Sequence, residues 1–254
     1  MPEQAEKSVE TLNPKGLGPV VILCEHASNH IPERYDGLGL SDEARISHAA
    51  WDPGARDMCL LLSKALDAPV VASCVSRLVY DCNRPPDSRD AMTERSETID
   101  IPGNRGLSDA QRQERVDTVY RPFCEAVDAV LDARAQPAIL VTMHSFTPVY
   151  FGQDRAVEIG ILHDEDARLA DAMLAGAPSL PHRRIERNEP YGPADGVTHS
   201  LIEHGVSRGL ANVMLEIRND LIRDADGVET LAQDVLTLLA PALAKLDGAE
   251  MQHA

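Results

Sequence analysis

Four apolar runs, each stopped by a polar cluster, constrain this chain more than any other feature. The clusters are Glu25-His26-Ala-Ser-Asn29-His30, Asp81-Cys-Asn83-Arg84, His144-Ser145-Phe146 and Glu216-Ile-Arg218-Asn219. Runs such as Pro19-Val-Val-Ile-Leu-Cys24 and Ala138-Ile-Leu-Val-Thr-Met143 are apolar almost throughout, with no polar face. They read as strands buried on both sides, as in a largely parallel sheet covered by helices. In an open α/β sheet, ligands bind at the carboxyl ends of the strands. The clusters are therefore expected to meet in one crevice.

The intervening segments fit that layout. Further strands are expected over 68–75, 77–80 and 158–162, and from Ala211 to Leu215, with 185–191 leading into a Gly/Pro loop. Helices are expected after Ser41, over 57–66, from Ser108 to about Ala135, over 164–175 and 198–204, and from Gly227 onward. Ser108-Asp-Ala-Gln111 has the form of a capping box, and Pro122 is placed to kink the helix it opens. Residues 85–106 carry three prolines and many charges without a period. We expect a mobile flap there. Residues 1–16 read as a frayed segment and 17–254 as one domain. No internal repeat is visible.

A formal net charge of −17 argues against nucleic acid or an anionic membrane as partner, since both need a basic surface. No apolar stretch approaches the roughly 18 residues of a membrane span. Met1 to Pro14 is polar, with no signal-like apolar region. The five cysteines form no C-x-x-C pair, so free thiols in a reducing cytoplasm are expected. Oligomeric state is not legible.

His26 and His144 both close an apolar strand, which makes them candidate metal ligands. A zinc site needs a third ligand and an open position for water. Asp52, Glu25, Asn29 and His30 are the candidates. Glu25 adjoins His26 and would point the other way along a strand. Asp52 precedes Pro53-Gly54, a turn able to present it inward, and is preferred; its alternative role is to cap the following helix. Glu216, at a buried strand end, is either a general base tuned by burial or half of an ion pair with Arg218. Asn83-Arg84 suits a carboxylate clamp, because a guanidinium meets a carboxylate through two parallel hydrogen bonds.

Val21 to Pro32, Arg77 to Pro85, Thr142 to Phe146, Asn188-Glu-Pro-Tyr191 and Leu215 to Leu221 together resemble the N-formylglutamate amidohydrolase family, in that family's order. The family is similar in fold to zinc carboxypeptidases and aspartoacylase-type aminoacylases. The resemblance implies a three-layer α/β/α sandwich around a mixed, largely parallel sheet. Carried over by motif, His26 and His144 look like metal histidines, Glu216 like the general base and Asn83-Arg84 like the carboxylate clamp. Where those peptidases have His-x-x-Glu, this chain has Asn29, so Asp52 enters as third ligand.

The implied activity is metal-dependent hydrolysis of an N-acyl amino acid, with N-formyl-L-glutamate giving formate and L-glutamate, as in histidine degradation. Zn²⁺ is the expected ion, another divalent metal an alternative. Arg77 or Arg218 would face the oxyanion, and Tyr191 would close over the substrate. A carboxypeptidase-like peptidase and a non-catalytic binding protein on the same scaffold are the competing readings.

Overall fold

The computed structural model describes residues 7–250, with side chains to 246. Eleven strands are formed: β1 (Val9–Leu12), β2 (Val20–Cys24), β3 (Val70–Ser73), β4 (Arg95–Ser96), β5 (Ile99–Asp100), β6 (Ile139–Phe146), β7 (Val149–Tyr150), β8 (Gln153–Asp154), β9 (Ile159–Leu162), β10 (Ile185–Arg187) and β11 (Asn212–Arg218). The principal helices are α1 (Asp42–Ile46), α2 (Ala55–Leu66), α3 (Asp109–Arg115), α4 (Arg121–Asp132), α5 (Arg168–Gly176) and α6 (Ala225–Glu250).

Seven strands make one sheet in the order β1-β3-β2-β6-β11-β9-β10. Its centre, β3-β2-β6-β11, is parallel; β1 joins β3 and β9 joins β11 antiparallel, and β10 runs parallel to β9. Alternation along each strand splits the core in two. Val20, Ile22, Cys24, Ile139, Val141, Met143, Val213 and Leu215 pack toward α2, α5 and α6. Val21, Leu23 and Leu140 pack toward α4, whose Phe123 and Val127 are fully buried. This is the expected α/β/α sandwich.

The same alternation fixes where the chemistry lies. Glu216 pairs in register with His144 and with Gly160, so all three occupy one row across the sheet. Their neighbours on the opposite face, Met143 and Leu215, belong to the α2/α5/α6 core. The polar side chains therefore emerge on the α4 side.

Several local expectations differ from the structure. Val9–Leu12, inside the segment expected to fray, is an edge strand on β3; residues 1–6 lie outside the described residues. Residues 77–80 form a turn and not a strand, because the Ser76 carbonyl accepts the Val79 N–H and Ser76 Oγ accepts the Leu78 N–H. Residues 85–106 are anchored. Met92 and Ile101 are buried, and the Asn104 amide donates to the Leu78 and Thr93 carbonyls. Buried Arg115 in turn donates to Asn104 Oδ1 at 2.6 Å. Only the β4–β5 hairpin of this segment reaches the site, through Ser96.

The Ser108–Gln111 capping box forms as expected. Pro122 produces a π-helical turn over Val116–Tyr120 and leaves the helix otherwise continuous: lacking an N–H, proline breaks the usual bonding, and the Arg121 N–H reaches back to the Val116 carbonyl. All five cysteines are free. Among the described residues no helix is long and apolar enough to cross a membrane.

Candidate metal centre and active site

His26, Asp52 and His144, all buried, bring one ligand atom each within 4.8 Å of the others. Asp52 Oδ2 lies 3.1 Å from His26 Nδ1 and 2.9 Å from His144 Nδ1, and the two Nδ1 atoms are 3.1 Å apart. Local geometry explains how Asp52 gets there. Its N–H donates to the His26 carbonyl, and Gly54 takes a left-handed φ of 81° that turns the chain into α2. Gly54 is itself the N-cap, and no side chain caps α2. The Asp52 carboxylate thus faces the histidines instead of capping the helix.

Each histidine is backed by a second carboxylate. His26 Nε2 is 2.6 Å from Asp81 Oδ1, and His144 Nε2 is 3.3 Å from Glu25 Oε2. That arrangement fixes ring orientation and turns Nδ1 of both rings toward Asp52. Arg77 completes the frame, with Nη1 3.3 Å from Asp52 and Nη2 2.9 Å from Asp81. The electrostatics follow. Burial opposes ionisation of Asp52 and Asp81, yet His26 and Arg77 hold both well below the ordinary carboxylate range. Burial would lower His144, but Glu25 and Asp52 raise it. A tight set of two imidazoles and a carboxylate, already oriented by outer carboxylates, fits a divalent cation.

Glu216 stands next to His144 and behaves differently. Burial pushes its carboxyl up to about 7, and its Oε2 has no hydrogen-bond partner. A carboxyl that exchanges its proton near neutrality has the property a general base needs. Room beside it comes from Gly160. A Cβ there would overlap the Glu189 carbonyl oxygen and press to 3.1 Å from Glu216 Cβ. Gly160→Ala should therefore destabilise the protein by on the order of 1–3 kcal/mol, the usual range for overpacking, measured as a lower urea midpoint with unchanged slope. An unaltered midpoint would show that the β9–β11 contact yields freely.

The remaining predicted residues divide. Arg84 and Tyr191 line the same cavity of about 170 Å³ as His26, Asp52, His144 and Glu216. Asn83 also borders it, but its carboxamide is committed: Nδ2 donates to the Val197 carbonyl at 2.6 Å and Oδ1 accepts the Ser200 N–H at 2.9 Å. A buried amide must be satisfied, so Asn83 holds the 197–200 segment, and of the expected pair it is Arg84 whose guanidinium is not committed to that segment. Arg218 is not in the cavity wall. It pairs with Asp220 at 2.8 Å and donates to the Arg155 and Ala156 carbonyls. Of the alternative ligands, Glu25 backs His144, Asn29 donates to the Arg45 carbonyl and His30 is exposed.

Asp81 and Gly160 carried no expected role, and Glu25, weighed as a third ligand, backs His144 from its Nε2 side. Asp81 had a signal, its place at the head of the Asn83-Arg84 cluster. Gly160 had one too, as an isolated glycine inside an apolar strand.

Residues 18–223 match the family model described as N-formylglutamate amidohydrolase. A gene product of Agrobacterium tumefaciens of known structure is 49% identical, with a TM-score of 0.93 over 96% of this chain and 97% of that one. The N-formylglutamate amidohydrolase from Ralstonia eutropha JMP134 is 19% identical and shares the fold, with a TM-score of 0.64 over 95% of this chain and 99% of that one. A search of curated proteins returned no match.

Proposed function

The chain belongs to the N-formylglutamate amidohydrolase family and is a hydrolase acting on an amide, and from that premise we propose that it cleaves N-acyl amino acids, with N-formyl-L-glutamate as substrate and a divalent metal as cofactor. The observation that carries the reading is the unpartnered Glu216 carboxyl beside the His26/Asp52/His144 set.

His26, Asp52 and His144 would hold the ion. Zinc bound there would supply an acidified water and polarise the scissile carbonyl. Glu216 accepts the proton of the attacking water and passes it to the departing nitrogen. Arg77, the one of the two expected oxyanion arginines that borders the cavity, faces the charge developing on the carbonyl oxygen. Arg84 anchors the α-carboxylate and so aligns the amide. Tyr191, in the cavity wall, closes over the substrate and excludes water. Formate and the free amino acid leave.

A cavity near 170 Å³ favours a compact acyl amino acid over the extended peptide of a carboxypeptidase. The chain's five free cysteines suit a reducing cytoplasm. Formate release across N-formyl amino acids, set against cleavage of blocked dipeptides, tests the reading; dipeptide cleavage alone would replace it with a peptidase.

Arg84→Lys probes the same assignment. Lysine keeps the charge and loses the fork, so kcat/KM should drop by the equivalent of about 1.5–3 kcal/mol, the scale of a charged hydrogen bond. The loss should be confined to substrates with a free α-carboxylate. Equal losses on the α-amides would make Arg84 a structural residue.

A further inference from the structure

Two hairpins outside the main sheet border the cavity. β4–β5 contributes Ser96 to its wall and β7–β8 contributes Tyr150, while His48, from the connection between α1 and α2, is a third wall residue. Each hairpin has a ladder of two residue pairs, Arg95 with Asp100 and Ser96 with Ile99 in one, Val149 with Asp154 and Tyr150 with Gln153 in the other. A two-stranded hairpin is marginally stable by itself, so other contacts must hold each in place. The first is rooted by buried Met92 and Ile101 on either side of it. The second is exposed at Val149 and from Phe151 to Asp154, and its half-buried residue, Tyr150, lies against the Arg155 guanidinium at 4.3 Å.

Glu97, in the β4–β5 turn, joins the two. Its Oε1 accepts the Phe151 N–H at 2.8 Å, and its Oε2 lies 3.3 Å from His48 Nε2. One carboxylate thus ties the turn of β4–β5 both to the turn of β7–β8 and to the cavity wall. The two turn residues it connects are strained. Glu97 has a φ of 51° and Phe151 a φ of 47°, left-handed values uncommon outside glycine and unusual for a bulky side chain. Such strain persists only where surrounding contacts enforce it, and it gathers at ligand clamps and switch regions. The groups that would do the chemistry are nearly sealed from water, His144 and Asp52 at 2% exposure and Glu216 at 5%. A substrate must therefore pass between the cavity walls to touch them.

We propose that Glu97 is the latch of a two-hairpin lid: β7–β8 moves away from β4–β5 when the Glu97–Phe151 bond breaks, admits the substrate, and closes over it when the bond re-forms. In placing catalysis in this cavity the inference rests on the hydrolase reading above. Glu97 is a positioning residue, acting through Tyr150 and His48.

The test compares wild type, Glu97→Ala and Glu97→Gln. Hydrogen–deuterium exchange over residues 149–154 should run at least roughly tenfold faster in Glu97→Ala, the effect of losing one charged hydrogen bond, with β6 and β11 unchanged as expected for a local opening. Glu97→Gln keeps an oxygen able to accept the Phe151 N–H and should stay close to wild type. Carbethoxylation of His144 by diethyl pyrocarbonate, with chelator present so that no ion shields the ring, reports entry to the cavity without turnover. It should quicken in Glu97→Ala and not in Glu97→Gln. With zinc supplied, KM for N-formyl-L-glutamate should rise roughly tenfold in Glu97→Ala while kcat holds, the pattern of lost binding with the reacting groups intact. Unchanged exchange overturns the latch, and faster exchange with His144 labelling or KM unchanged overturns the lid. If wild type releases no formate while exchange and labelling change together, the hydrolase reading fails and the latched lid stands.

Discussion

Glu216→Gln is expected to slow formate release by a factor of about 10²–10⁴, the contribution usual for a positioned proton-transfer group. Glutamine keeps the size and removes the proton acceptor. Little stability should be lost with it. Burial pushes the Glu216 carboxyl up to about 7, so the native site already disfavours the charged form. Burying a neutral amide in its place removes the cost of ionising that site. The variant should therefore keep its metal content and its melting temperature while turnover collapses. Formate release near the wild-type rate would remove Glu216 from the chemistry.

His144→Ala should have two large effects. Two remaining ligands, His26 and Asp52, seldom retain zinc, so elemental analysis should find the ion lost and activity at background. The second effect is on folding. Glu25 is fully buried and, although burial opposes its ionisation, His144 holds its carboxyl below the ordinary value. Removing the imidazole strands that charge, at a cost of about 3–5 kcal/mol for a broken buried pair. The pH dependence has a definite sign. A depressed carboxyl contributes stability above its unfolded pKa and loses it as pH falls through the folded value. The deficit of His144→Ala should thus be full at neutral pH and shrink on acidification, where Glu25 takes up a proton in both proteins. Urea unfolding at several pH values measures it, and a deficit independent of pH would mean that Glu25 does not depend on His144.

Which parts of the molecule were legible follows from what sequence encodes. The central strands declared themselves because Val20–Cys24 and Ile139–Met143 are apolar on both faces, and both cores use them. Their ends located His26, His144 and Glu216, since a polar residue terminating such a run has only the sheet's edge to occupy. Asp52 was reached through the turn chemistry of Pro53-Gly54. Elsewhere the rules ran out for physical reasons. Strand alternation pointed Glu25 away from the histidine pair, but β2 ends at Cys24 and the chain turns, which carries Glu25 under His144. The two-residue spacing placed Arg218 on the face of Glu216 and said nothing of its reach, which runs to Asp220 and the Arg155 carbonyl. Residues 85–106 looked mobile because Asn104 and Arg115, which tie them down, are brought together only by tertiary packing. Asn83 looked like a ligand-binding amide because the groups it pairs with, the Val197 carbonyl and the Ser200 N–H, lie more than a hundred residues away.

A metal held by His26, Asp52 and His144 and serving amide hydrolysis is tested most directly by one measurement. Formate release from N-formyl-L-glutamate is followed with protein stripped by a chelator, before and after titration with zinc, with metal content determined on the same samples. Release should fall to background in the stripped protein and return in proportion to bound zinc, reaching its plateau near one ion per chain. An undiminished rate in protein shown to be free of metal would contradict it.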